Sequence, residues 1–504
     1  AGSKEYEAAR ERLEGLHAFH FPIAFPEVFL RERPGFDAIV GNPPWQEATL
    51  EEDAFWARHS PGLRSLPQRE QEAAKSKLRR ARPDLVAEYE RELADAEAMR
   101  RALTTGPYPG MGTGDPDLYK AFCWRFWNLA CEDGGRIGVV LPRSALAAKG
   151  STEFRHEVFS HAEGVDVTTL LNTKGWVFDE AEHRYTIGLV AIGRRKAEKG
   201  VVREARPVRV ALRGPYPSRD RYEAGVAREP AVFDGEEIRS WNDTASLPLL
   251  PSDESVEVFT RLRRAPRLDL DDKRSWRARP HREMDATNDK KLMDVKSKDR
   301  PKGFWPVFKG ESFDLWTPDT GTYYAWADPK KVLPHLQEKR ARGARNKNSP
   351  FSEFDPAVIR SRDTLPCLHP RIAFRRISRA TDTRTLRAAL VPPEIVLTDV
   401  APYLLWPRGT ALDEAFLLGV VASLILDWYA RRFVETHMDF HVLDPLPIPR
   451  PPSDHPLRLR AILLAGRLAA PDDRFADWAE EVGVECGSLA PDDQEDKIHE
   501  LDAV

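Results

Sequence analysis

The ten residues FDAIVGNPPW (36–45) restrict this chain more than any other stretch. Phe36, Asp37, Ala38, Ile39 and Val40 read as a short buried strand, mostly apolar, β-branched toward its end and closed by Gly41. Two prolines follow Asn42. Neither has an N–H and both hold φ at about −65°, so they cannot prolong a sheet ladder. The chain must leave the sheet in a stiff, extended turn. That turn gathers a carboxamide (Asn42), a bare carbonyl (Pro43), a second proline (Pro44) and a broad aromatic face (Trp45) at a strand's carboxyl end. Open α/β sheets take their ligands there.

Asn42 Oδ1 and the Pro43 carbonyl are two acceptors, suited to a planar NH2 group with two donors. Trp45 suits a flat ring. An exocyclic amine on a base, such as adenine N6, satisfies all three. The tetrapeptide resembles motif IV of the amino-methyltransferases, (Asn/Asp/Ser)-Pro-Pro-(Tyr/Phe/Trp). The plainer alternative is a proline-stiffened loop carrying a surface tryptophan.

The rest of the chain expects an α/β fold. Residues 4–17 read as a charged helix rather than a leader, and 47–103 as a charged helical insertion of solvated helices, broken at Arg82-Pro83. The loop TGPYPGMGTG (105–114) lacks the Gly-Lys-Ser/Thr ending of a phosphate loop. A helix follows, with Asp115 as its cap, Pro116 at its first position and Leu118, Phe122, Phe126 and Leu129 as its core stripe. Apolar strands at 136–142, 165–171 and 185–192, with a helix over 144–160, suggest a parallel three-layer sheet. A linker is expected over 201–245 and a mixed α/β module over 246–452, with strand-like pieces at 304–308, 323–326, 371–377 and 394–398 and one long helix over 411–434. A helical tail is expected over 453–504.

With 31% charged residues and no apolar run near the ~18 residues needed to cross a bilayer, no membrane role is expected. Cys123, Cys131, Cys367 and Cys486 have no CxxC spacing, so neither a metal site nor a disulfide framework is indicated and a reducing cytoplasm is expected. The net charge of −4 means that any nucleic-acid contact must come from a local patch.

The succession NPPW, DLYKAF, GGRIGVVLP and WVFDEAEHRYTIGLVAI resembles the second half of a gamma-class adenine-N6 DNA methyltransferase of the Type IIG restriction–modification or BREX and DISARM phage-defence kind. The resemblance implies a partial Rossmann-like methyltransferase sheet over 1–200, then a mixed α/β target-recognition domain. It implies S-adenosylmethionine as methyl donor and double-stranded DNA as partner. Asn42 and Pro43 would grip the amine of a flipped adenine and Trp45 would stack on it. Phe178 would close the other face, with Tyr185 as runner-up. Phe122 would pack on the donor's adenine, helix core being its plainer role. No glycine-rich donor loop precedes Asn42. The chain is therefore expected to be a fragment, or to be completed by a second polypeptide, and to bind the donor poorly alone.

Between 360 and 387 stand eight arginines and two aspartates. On the resemblance, Arg371, Arg375, Arg376 and Arg379 are expected to contact DNA phosphates and bases, and the basic run 338–348 to track the backbone. A solvated charged face is the plainer alternative. Two other functions stay open: a non-catalytic target-recognition or assembly subunit, and an amino-methyltransferase acting on a protein amide or on RNA. No nuclease motif is read in the chain.

Overall fold

The computed structural model describes residues 7, 19–114, 116–183, 185–196 and 207–504. All but residue 7 of the expected N-terminal helix, and the expected cap Asp115, lie outside them. The fold is mixed α/β and divides into two compact units, Ala1–Asp253 and Glu254–Val504.

The first unit holds one six-stranded sheet: β1 (Ala38–Gly41), β2 (Arg136–Pro142), β3 (Ala162–Leu171), β4 (Thr186–Arg194), β5 (Arg209–Tyr216) and β6 (Ala231–Asp234), in the order β1-β2-β4-β3-β5-β6. The expected all-parallel sheet is not what forms. β1 runs parallel to β2, but β4 lies antiparallel between β2 and β3, and β6 is antiparallel to β5. Among the described residues, the connection from β3 to β4 contains only a short 3-10 turn. Without a crossover helix the returning strand must run antiparallel. β1, β2 and β3 still point the same way, so their carboxyl ends share one edge of the sheet.

β1 is not buried. It is the edge strand, and Val40 is 88% exposed. Arg136 N–H donates to Asp37 O, so the backbone of Asp37, Ile39 and Gly41 faces β2 while that of Ala38 and Val40 faces the open side. Ile137, Val139 and Leu141 of β2 meet Ile192, Val190 and Gly188 of β4 on the packed face. Gly138 and Ala191 lie on the other face, and Ala191 is exposed.

The helical insertion has a core of its own, contrary to the expectation of solvated helices. Its helices are α1 (Glu52–His59), α2 (Gln68–Ala81) and α3 (Pro83–Thr105). Phe55, Trp56, Leu63 and Leu85 pack together with Tyr89 against them. Lys75 is buried there and sits 2.7 Å from Asp53 and 2.5 Å from Glu72. The expected linker over 201–245 instead carries β5 and β6, because the alternating apolar residues Val210 and Leu212 pair beside β3.

The second unit has two four-stranded sheets. One comprises β7 (Arg277–His281), β11 (Arg371–Phe374), β12 (Ala388–Val391) and β14 (Tyr403–Arg408), ordered β12-β11-β14-β7. The other comprises β8 (Met293–Asp294), β9 (Trp305–Phe308), β10 (Ala325–Ala327) and β13 (Val396–Leu397), ordered β13-β9-β10-β8. The single helix expected over 411–434 is two, Ala411–Ala422 and Leu424–Arg431. Ser423 breaks the run and its hydroxyl caps the second by accepting from Leu426 N–H. The tail helices Pro456–Ala469 and Pro491–Ala503 belong to this unit. A Cβ on Gly419 would stand 3.2 Å from Ala465 and 3.3 Å from Leu501, so close packing selects glycine there.

Candidate active site at the carboxyl edge of the first sheet

The turn after β1 is anchored on both sides. Helix α4 (Leu118–Leu129) starts beside it, since Leu118 N–H donates to Gln46 O (2.9 Å) and Ala48 N–H to Pro116 O (3.2 Å). At its far end Phe36 N–H donates to Leu129 O (2.9 Å), so α4 runs antiparallel to β1. A Cβ on Gly41 would meet Phe126 Cζ at 3.2 Å, which explains a glycine just before Asn42. Asn42 and Pro44 are exposed, Pro43 is buried and Trp45 is half-buried. The Asn42 carboxamide makes no hydrogen bond among the described residues, and neither does the buried indole N–H of Trp45. The corner thus offers unspent hydrogen-bonding groups on a stiff backbone.

Phe178 reaches Trp45. Their rings meet edge to face, with centroids 6.0 Å apart and planes at 83°. Two parallel rings holding a flat base would stand about 7 Å apart, twice the contact distance of carbon atoms. Admitting a base therefore requires Phe178 to swing. Tyr185, the alternative, is 51% exposed.

The residue that holds Phe178 is Asn172, which sequence reading missed. Its side chain is fully buried at the end of β3. Its Oδ1 accepts from Val177 N–H (3.1 Å) and Phe178 N–H (3.0 Å), and its Nδ2 donates to Phe178 O (3.0 Å) and Ala181 O (3.3 Å). Its own N–H donates to Tyr185 O (2.9 Å). One amide thus organises the loop between β3 and β4. The only available signal was an asparagine directly after an apolar strand, a position it often takes in turns. Lys174 (φ 59°) and Gly175 (φ 73°) give this loop a left-handed bend, which glycine tolerates and lysine adopts at a cost.

Phe122 is not core. Of the expected stripe only Leu129 is fully buried; the rest of the buried face of α4 is Tyr119, Lys120, Ala121, Cys123, Trp124 and Trp127. Phe122 is 38% exposed, one turn from Phe126 and on the part of α4 that flanks the NPPW turn. Tyr119 O–H bonds Ser144 Oγ (3.0 Å), tying α4 to the segment after β2. Burial raises the Tyr119 hydroxyl and pushes the Cys123 thiol up to about 12, so neither is a ready base or nucleophile. No group of His, Cys, Asp and Glu able to hold a metal ion occurs among the described residues.

The arginines expected to contact DNA divide sharply. Arg371 is buried in the central strand β11, where its guanidinium bonds Glu283 (3.0 Å), Pro366 O (3.0 Å) and Ile395 O (3.2 Å). Glu283 is equally buried and also accepts from Leu397 N–H (2.7 Å). Arg371 is therefore a structural residue and cannot reach a nucleic acid. Arg375 is committed to Phe313 O and to Asp314 (3.0 Å), and Arg376 to Asp439 (2.8 Å). Both are largely withdrawn from solvent. Only Arg379 is exposed, with no side-chain partner among the described residues. The run 338–348 is the end of helix Pro329–Ala344 and the turn after it, and its Arg340 is buried against Thr364 and Ser361.

No protein-family model matches this chain, and no curated protein matches it. Among solved structures the chain is similar to the Type IIL restriction–modification enzyme MmeI in complex with DNA, at 11% identity over 92% of this chain and 53% of that one, with a TM-score of 0.41. It is also similar to a nuclease-deletion mutant of the Type ISP restriction–modification enzyme LlaGI in complex with a DNA substrate mimic (10% identity, 85% and 34% covered, TM-score 0.40). A third is the type IIG restriction endonuclease BpuSI (15% identity, 78% and 47% covered, TM-score 0.26). The chain spans about half, or less, of the length of these proteins. No helix of the described residues is long and apolar enough to cross a membrane.

Proposed function

We propose that the first unit carries the amine-binding corner of a DNA adenine-N6 methyltransferase, acting in restriction–modification or phage defence. The observation that carries this reading is the free Asn42 carboxamide on a proline-stiffened turn at the carboxyl edge, with Trp45 and Phe178 in contact beside it. Asn42 Oδ1 and the Pro43 carbonyl accept the two N–H bonds of the amine. Holding both hydrogens draws the nitrogen lone pair out of ring conjugation and aims it at the incoming methyl group. The effect is positional and needs no strong base. Trp45 takes one face of an adenine swung out of the duplex, and Phe178 moves aside to cover the other.

S-adenosylmethionine is the proposed donor, and it would supply an electrophilic methyl group. The described residues fit it only in part. Phe122 offers an aromatic face next to the corner, but residues 19–37 contain no glycine-rich loop following a strand. The remaining contacts fall to a segment added at the open edge of β1, where Ala38 and Val40 present an unshared backbone, or to a second polypeptide.

The test is to sequence host DNA for N6-methyladenine with the wild-type gene and with Asn42→Ala. A methylated motif that disappears in the variant supports the reading. Identical methylation in both, or none with the wild type, overturns it.

A further inference from the structure

With three of the four expected arginines engaged inside the fold, DNA contact on the second unit needs cations besides Arg379. One group of exposed cations without a carboxylate partner among the described residues flanks β8, the outer strand of its sheet. Lys290 and Lys291 lead into β8, and Lys296 and Lys298 follow it. Register extends the line. Ala327 pairs with Met293 and Trp326 with Asp294, which sets Lys290 and Lys291 beside the start of helix Pro329–Ala344, where Lys330 and Lys331 stand. His335 of that helix lies 3.3 Å from Asp289, fixing the two segments side by side. All six lysines are exposed, and none has a carboxylate within 4.0 Å among the described residues.

The carboxylates nearby are turned to other work. Asp294 accepts from Lys296 N–H (3.0 Å), Ser297 N–H (3.2 Å) and Ser297 O–H (2.6 Å), and Asp328 accepts from Lys330 N–H (3.0 Å). Over 289–302 and 328–331 there are eight cations against four carboxylates, in a chain whose net charge is −4. The loop after β8 is braced by Trp326 Nε1–H donating to Ser297 O (3.2 Å). Lys290 and Lys291 lie in a 3-10 turn just before this two-residue strand, and Lys296 follows it in a turn capped by Asp294, so the lysines flank both ends of β8. Several exposed cations spread along one edge suit a polyanion, since duplex DNA carries one charge per about 1.7 Å of axis. A single anion would need a pocket instead.

We propose that the β8 edge and the start of helix Pro329–Ala344 form a phosphate-tracking surface for duplex DNA, with Lys290, Lys291, Lys296 and Lys298 at its centre. This rests on the reading of the chain as a DNA-modifying protein and names the surface that anchors the duplex. A competing account is that the lysines only guard an exposed sheet edge against pairing with another chain.

The experiment is fluorescence anisotropy of a labelled 30-base-pair duplex with the full chain, titrated in salt from 50 to 200 mM. It compares wild type, a variant with Lys290, Lys291, Lys296 and Lys298 all changed to Ala, and the same four changed to Arg. A control removes Arg69, Lys77, Arg91 and Arg100 of the helical insertion, an equal change in charge. The alanine variant should lose tenfold or more in affinity at low salt and flatten the slope of log affinity against log salt by about 3 to 4, at roughly 0.9 per phosphate contact. The arginine variant should keep both. An unchanged slope, or an equal fall in the control, overturns the proposal. So does aggregation of the alanine variant with DNA binding intact, which is the edge-guard result. Loss of binding to phosphatidylserine vesicles with DNA binding unchanged overturns it in favour of a membrane surface. If the wild-type chain binds no duplex at all, the functional reading falls too; if it binds and only the lysines prove irrelevant, the functional reading stands.

Discussion

Arg371→Ala separates a structural arginine from a DNA-contacting one. In the folded chain the Arg371 guanidinium meets Glu283 and two backbone carbonyls, all withdrawn from water. Burial pushes the Glu283 carboxyl upward, and Arg371 and the Leu397 N–H pull it back. Truncating Arg371 leaves that carboxylate buried without its cation, at a cost of about 3–5 kcal/mol. A domain is held by about 5–15 kcal/mol in all, so the second unit should lose much of its margin. The assay is urea unfolding followed by tryptophan fluorescence, with DNA affinity measured at low temperature on the folded variant. Affinity and salt slope should match wild type. The double variant Arg371→Met, Glu283→Gln should recover most of the stability, because Gln still accepts from Leu397 N–H and no charge is stranded. The reasoning fails if Arg371→Ala costs under about 1 kcal/mol, or if it weakens DNA binding with stability unchanged.

Three other outcomes are expected. Arg379→Ala should leave stability intact and reduce the DNA salt slope by about 1, measured by anisotropy; an unchanged slope removes Arg379 from the interface. Glu414 is buried, receives Trp478 Nε1–H at 2.9 Å and has its carboxyl pushed up to about 7 by burial, from an ordinary 4.5. The folded state therefore holds this proton more tightly than the unfolded one, and the second unit should lose about 3 kcal/mol between pH 4.5 and pH 7 from this group, a loss complete above pH 7. Glu414→Gln should flatten that part of the pH–stability curve, and an unaltered curve would refute the assignment. Asn172→Ala should speed hydrogen exchange at the Val177 and Phe178 amides, which donate to its Oδ1, while β2 and β4 stay protected; unchanged exchange would show that Asn172 does not hold the loop.

Much of the candidate corner was legible because it is local. A strand, a glycine and two prolines dictate a stiff exit whatever the rest of the chain does. Phe178 was reachable by the same logic, since it sits in the connection just before an apolar strand. The partners of the arginines were not legible, because Arg371 and Glu283 are 88 residues apart, Arg375 and Asp314 are 61 apart, and Arg376 and Asp439 are 63 apart. A basic run that is neutralised by distant acids looks the same in sequence as one that is free. The antiparallel course of β4 could have been read, because the residues between β3 and β4 carry no helical pattern and a parallel crossover needs one. The core of the insertion was hidden by its spread over several elements: Phe55 and Trp56 on one helix, Leu63 in a turn and Leu85 on another helix. No single helix in it shows a strong apolar stripe.

The central claim concerns two acceptors, Asn42 Oδ1 and the Pro43 carbonyl, and the direct measurement is the initial rate of radiolabelled methyl transfer from S-adenosylmethionine to DNA by the protein purified from its host with its natural partners. Asn42→Ala should lower kcat by about a hundredfold to a thousandfold, the usual loss when one positioned hydrogen-bonding group is removed from a reacting centre. Asn42→Asp, which keeps an acceptor oxygen in place, should retain clearly more activity than Asn42→Ala. Equal rates for wild type and Asn42→Ala would contradict the account.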